Sequence, residues 1–144
     1  MTIVDTEKTE IKTVLEAVRQ GHHDKNAAAI GAHFAPGAII FDLAPPLGHA
    51  LDVPGLAAWL DTWEGPISLV DRDLNITVSG DLAICHGLQK VSATTKGDSQ
   101  RAEWWQRITI CLSRIDGIWK IIHEHTSVPF HMDGSFQAAL DLEP

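Results

Sequence analysis

Asp42, His123 and His125 are the residues of this chain best suited, by type and setting, to move protons. The histidines stand two apart in Trp119-Lys120-Ile121-Ile122-His123-Glu124-His125-Thr126. On an extended strand such residues share a face, so both imidazoles project together. Imidazole titrates near neutrality, which suits general acid/base work or hydrogen bonding to a ligand. The alternative is a pair of satisfied core histidines. His-x-His also suits a metal, with Asp42, His49 or His86 as the available third ligand; no metal is assigned. Asp42 lies at the end of the apolar stretch 38–43, where burial would make it a usable general base. Capping of the following Ala44-Pro45-Pro46 loop is the competing role. Trp59 and Trp63, one helical turn apart, and Trp104 suit an aromatic wall for a flat ligand, or simple core packing. Ile108 and Ile110 face the histidines as the apolar floor of the same pocket. Trp119, nearer a turn, reads as core.

These residues need elements to position them. Ile11, Val14, Leu15 and Val18 form an i, i+3, i+4, i+7 stripe, which predicts a helix over 6–20 ended by Gly21. Asp24 is placed to cap a second helix through Phe34, before Pro36-Gly37. A short strand spans 38–43, then a Pro-rich loop through His49. Asp52 is placed to cap a third helix with Pro54 in its first turn, presenting Leu56, Trp59, Leu60 and Trp63 on one face. Thereafter the helical period disappears. Strands are expected at 67–79 and 82–95 around Gly80-Asp81, and at 102–114 and 119–127 around Asp116-Gly117. Residues 135–142 suggest a short terminal helix.

A two-residue turn at Asp116-Gly117 opposes Ile115 with Ile118. Unbroken alternation then sets His123 opposite Ile110 and His125 opposite Ile108. It places Trp104, Gln106, Ile108, Ile110, Leu112, Trp119 and Ile121 with both histidines on the inner face. Trp105, Arg107, Cys111, Ile122 and Glu124 fall on the outer face, with Arg107 diagonal to Glu124 and a half-apolar patch suited to a second subunit. The same arithmetic opposes Asn75 with His86, pointing His86 away from the pocket.

The chain has 144 residues, 44% hydrophobic and 21% charged, the size and balance of one globular domain spanning 1–144. Its net charge of −8, without a basic cluster, argues against nucleic acid and anionic membranes as partners. No run is long enough for a membrane span, and the charged N-terminal stretch does not read as a signal peptide. Two cysteines without metal or disulfide spacing fit a reducing cytoplasm. There is no phosphate loop, zinc cysteine pair or nucleophile elbow, so no cofactor is expected. There is also no tyrosine to act as acid, base or oxyanion donor.

The strings Phe41-Asp42-Leu43-Ala44-Pro45-Pro46-Leu47, Trp59-Leu60-Asp61-Thr62-Trp63, Ser79-Gly80-Asp81, Trp105-Gln106-Arg107-Ile108-Thr109 and the closing Asp116 to Phe130 segment, in this order of elements, carry a resemblance. The chain resembles the SnoaL-like, ketosteroid-isomerase-like branch of the nuclear-transport-factor-2-like superfamily over nearly its whole length. The resemblance implies an α+β fold, a cone-shaped curved antiparallel sheet wrapped around N-terminal helices, with an apolar pocket and a homodimer through the outer sheet face. It implies that Asp42 matches the position of the ketosteroid isomerase base. The tyrosine and protonated aspartate that those isomerases use as oxyanion donors have no counterpart here, which disfavours authentic steroid isomerisation. The expected function is binding of an apolar or aromatic small molecule, with proton transfer of isomerase, cyclase or dehydratase type. A non-catalytic binder and a dimeric structural module are the alternatives.

Overall fold

A computed structural model describes residues 2–144. Helix α1 (Ile3–His23) starts at a capping box: the Thr2 hydroxyl accepts from the Asp5 amide, and the Asp5 carboxylate accepts from the Thr2 amide, both at 3.1 Å. Its stripe of Ile11, Leu15 and Val18 is buried. Gly21 does not end the helix. It lies inside it, where a Cβ would come within 2.6 Å of Ile30 Cγ1. The glycine therefore serves close packing against α2 (Ala27–Gly31), and the chain reverses at Lys25, whose φ is 55°. Helix α2 is shorter than expected and is capped by Asn26, not Asp24. Extended structure takes over at Phe34 because β1 (Phe34–Phe41) pairs there.

A two-residue strand β2 (His49–Ala50) sits where a loop was expected, followed by α3 (Val53–Leu60), capped by Asp52 as anticipated. Trp63 opens the long strand β3 (Trp63–Ser79) instead of closing α3. Strands β4 (Leu82–Thr95), β5 (Arg101–Ile115) and β6 (Ile118–Ser127) complete the chain's regular structure. Residues 135–142 form turns and an isolated bridge, Phe130 to Ala138, not a helix.

The six strands run in the order β2-β1-β6-β5-β4-β3. The α+β class stands, but the sheet is mixed. Strand β1 lies parallel to β6, while all other pairs are antiparallel. Hairpins force reversal along the β3–β6 meander, whereas β1 reaches it through α3 and escapes that constraint. The helices cover the concave face, and the core gathers Ile11, Ile30, Leu60, Ile67, Leu112 and Ile121 between them.

Two β-bulges set which side chains enter that concave space. The Asp116-Gly117 turn has both φ angles positive (52° and 80°), and pairing from Ile115–Ile118 to Leu112–Ile121 follows as expected. Ile122 is then an extra residue: Cys111 pairs with His123, and Ile110 with Glu124. A bulge breaks the period of two, so every later side chain changes face. The expected pairings of His123 with Ile110 and His125 with Ile108 are therefore corrected. Both histidines lie on the outer side and Glu124 on the inner. The second bulge is in β3 at Asp73, φ 55°, between the pairs Arg72–Leu88 and Asn75–His86. It turns Asp71 inward where an unbroken strand would place Arg72. Gly87 lies opposite; a Cβ there would approach Leu74 Cα to 3.1 Å and the Arg72 carbonyl to 3.2 Å.

Candidate functional site

The concave face of the sheet, α1, α3 and the 42–46 loop enclose a cavity of about 620 Å³, within the range of small-molecule sites. Trp59, Trp63, Trp104, Ile108 and Ile110 all line it, as the sequence suggested. The indoles form a continuous wall. Trp59 and Trp63 meet edge to face at 6.0 Å, and Trp63 and Trp104 lie 6.5 Å apart.

Asp42 also lines the cavity, just past the end of β1. Its Oδ2 is 2.6 Å from His49 Nε2, and the other ring nitrogen of His49 is 2.7 Å from the Ala50 carbonyl. A ring facing acceptors on both sides must donate from both nitrogens, which requires the imidazolium form. The Asp42 hydrogen bond, aided by the Ala50 carbonyl, accordingly raises the His49 pKa. The Asp42 side chain is 48% exposed, so this pair stands at the rim. It is not the enclosed carboxylate that the sequence suggested.

Glu124 enters the cavity from β6, beside Thr126. Burial first, and the charge of Asp42 second, push its pKa up to about 7. His22 reaches the same space from the last turn of α1. Its Nδ1 lies 2.8 Å from the Val18 carbonyl, so it donates there and leaves Nε2 as an acceptor. Burial lowers its pKa, favouring that neutral form. Asp42 thus acts electrostatically on both Glu124 and His22, and three elements bring proton-exchanging groups to one apolar cavity.

His123 and His125 do not line this cavity. His123 Nδ1 donates to the Ile39 carbonyl at 2.8 Å, and Phe41 packs edge-on against both rings. His86 is exposed beside Thr109 on the same outer face. Among the described residues no group of three His, Cys, Asp or Glu side chains is placed to hold a metal. The expected ion pair of Arg107 with Glu124 is absent because Glu124 lies inside; Arg107 instead donates to the Ser127 hydroxyl at 3.1 Å. Trp105, Arg107 and Cys111 keep their outward positions. Cys85 is a buried thiol whose pKa burial pushes up to about 12, which leaves it unreactive.

Sequence reasoning missed Glu124, His22 and His49 as cavity partners. The signal for Glu124 was the adjacent pair Ile121-Ile122, which interrupts alternation. It also missed a polar row made by Trp104, Gln106, Gln89 and Asp71, for which Gly87 within a strand was the available marker of a bulge.

The fold and cavity place the chain among known proteins. It is 28% identical to a nuclear-transport-factor-2-like protein of unknown function from Pseudomonas putida KT2440, covering 97% of this chain and 98% of that one, with a TM-score of 0.84. A candidate dehydratase of the same superfamily from Streptomyces avermitilis shares 14% identity over 85% and 96% of the two chains, TM-score 0.76. A candidate scytalone dehydratase from Novosphingobium aromaticivorans shares 13% over 96% and 95%, TM-score 0.75. At such identities the last two show the fold alone. No curated protein matches the chain. No helix among the described residues is long and apolar enough to cross a membrane. The SnoaL-like domain family matches residues 11–131, and with most of the chain inside that match, this protein belongs to the SnoaL-like family.

Proposed function

We propose that this protein is an acid–base enzyme of isomerase, cyclase or dehydratase type acting on an apolar or aromatic small molecule. The observation that carries the proposal is the convergence of Glu124, Asp42–His49 and His22 on one Trp-walled cavity. Such chemistry needs one group that holds a proton near neutrality and another that takes one, and differing environments separate those roles. Glu124, desolvated and neutral below about pH 7, is the proton donor. Asp42, held by His49 at the rim, and neutral His22 are the proton-accepting side. Trp59, Trp63 and Trp104 hold the flat apolar body of the substrate, and Ile108 and Ile110 form its floor. This assigns to Glu124 the role that the sequence suggested for His123 and His125. The names of the dehydratase-like neighbours are in keeping with elimination or proton transfer.

The test starts from protein isolated from its native host. Native mass spectrometry identifies the retained ligand, and its conversion is followed with wild type and Glu124→Gln. Loss of about a hundredfold in turnover with binding retained is expected, the usual contribution of a general acid. Equal turnover by the variant removes Glu124 from the chemistry; a ligand always recovered unaltered makes the protein a binder. We further propose a homodimer through the outer sheet face, where Val70, Leu82 and Ile84 are each more than half exposed beside Trp105 and Cys111.

A further inference from the structure

We propose that Gln89 and Gln106 form a carbonyl-recognition pair, so that the ligand of this cavity is a neutral aromatic ketone, aldehyde or quinone. The inference rests on the reading of the cavity as a small-molecule site and adds the ligand's chemical class. Asp71, Gln89 and Gln106 stand abreast on three neighbouring strands, since Asp71 pairs with Gln89 and Gln89 with Gln106. Their side chains join into one row across the concave face. Trp104 Nε1 donates to Gln106 Oε1 at 3.0 Å, Gln106 Nε2 to Gln89 Oε1 at 3.0 Å, and Gln89 Nε2 to Asp71 Oδ1 at 2.9 Å. The guanidinium of Arg19 pairs with the other oxygen of Asp71.

The direction of this row is forced at both ends. An indole N–H can only donate, and an ionised carboxylate only accepts. Gln106 must therefore turn its carbonyl toward Trp104 and its NH₂ toward Gln89, and Gln89 must turn its NH₂ toward Asp71. Each primary amide has two N–H groups and spends one within the row. One N–H remains on each glutamine, on adjacent strands, with no partner among the described residues. Both side chains line the cavity, yet the residues are only 6% and 7% exposed. Spare donors so enclosed match an acceptor oxygen and mismatch a hydrocarbon edge.

Charge selects which acceptor. Asp42, Asp52, Asp71 and Glu124 line the cavity with Arg19, and Arg19 is already engaged by Asp71. With Arg19 held by Asp71 and His49 by Asp42, a carboxylate or phosphate ligand would find no free counter-charge, whereas a neutral carbonyl needs none. The adjoining Trp63–Trp104 wall supplies a surface for the ring that bears it.

Equilibrium dialysis with 1-indanone, indane and 1-indanol, which share one skeleton, tests the inference. The quantity read is the ratio of indane to indanone Kd, compared between proteins so that intrinsic hydrophobicity cancels. Gln106→Met, which keeps the shape and removes the amide, is expected to lower this ratio about tenfold. Gln106→Glu replaces donor by acceptor and is expected to shift preference from indanone toward indanol, so the inference remains testable if the Met variant misfolds. An unchanged ratio in folded Gln106→Met, or an unchanged ketone preference in Gln106→Glu, overturns the carbonyl assignment and leaves the cavity as a binding site. Failure of wild type to bind any of the three overturns the inference together with the reading it rests on.

Discussion

Glu124 shows how one residue couples site chemistry to stability. Its folded pKa is raised from 4.5 to about 7 by burial. Between those values the native state keeps a proton that the unfolded chain has lost, so stability falls as pH rises, by about 1.4 kcal/mol per unit, and levels off above about 7. Glu124→Gln removes the ionisable group. The variant is expected to be more stable than wild type at pH 8, by roughly 3 kcal/mol at most, and no more stable at pH 4. Urea denaturation at the two pH values checks it. A site residue whose removal stabilises the fold is the pattern expected where function and stability compete. His49 gives the same direction of pH dependence for a different reason, since its partners favour the charged, protonated form. Its raised pKa contributes stability that is full below its unfolded value and disappears as pH rises through the folded one. Asp42→Asn weakens the hydrogen bond that chiefly raises the His49 pKa, so the His49 imidazole resonance is expected to titrate at lower pH in NMR. The same substitution should also lower the Glu124 pKa, since the Asp42 charge contributes to raising it.

At the scale of elements, glycines mark where backbones meet. Replacing Gly21 by alanine gains helix propensity of up to about 1 kcal/mol. The new Cβ, however, falls 2.6 Å from Ile30 Cγ1, on the rigid β-branched part of that side chain. Overpacking of this kind costs about 1–3 kcal/mol, so Gly21→Ala is expected to lower Tm despite the better helix former. Gly87→Ala presses on backbone atoms of the β3 bulge at 3.1–3.3 Å. It should destabilise by a similar amount. Because the bulge aims Asp71 into the cavity, it should also loosen the Arg19–Asp71–Gln89 row. Calorimetric melting reads the first effect, and the dialysis ratios above read the second.

For the whole molecule, the helices cover one sheet face and leave the other with exposed Val70, Leu82, Ile84, Ile39 and Phe41. Ile84 sits beside Cys111 on β4, on the face where the proposed dimer would bury an added charge. Ile84→Glu is expected to convert a dimer into a folded monomer in sedimentation velocity, because an unpaired buried charge is costly. A wild-type protein that sediments as a monomer at micromolar concentration would end the dimer proposal.

Local rules carried much of this in the sequence itself. The α1 stripe, the Asp52 cap, the β4 bounds and the two turns at Gly80-Asp81 and Asp116-Gly117 each follow from a few neighbouring residues. Trp59 and Trp104 follow likewise, from a helix face and a strand parity, whereas Trp63 reaches the wall from the start of β3 and not from α3. The polar site was decided otherwise. A strand's parity is legible only until a bulge intervenes. Ile122 and Asp73 each insert one residue, which exchanges His123 and His125 for Glu124, and Arg72 for Asp71. Partners such as His22, His49 and Gln89 come from elements distant in the chain, and only the curvature of the sheet around α1 and α3 brings them to the same cavity. Sequence determined the longer elements and most of the apolar lining because those depend on local periodicity. Tertiary structure decided which charged groups face the ligand, because that depends on one-residue shifts in strand pairing.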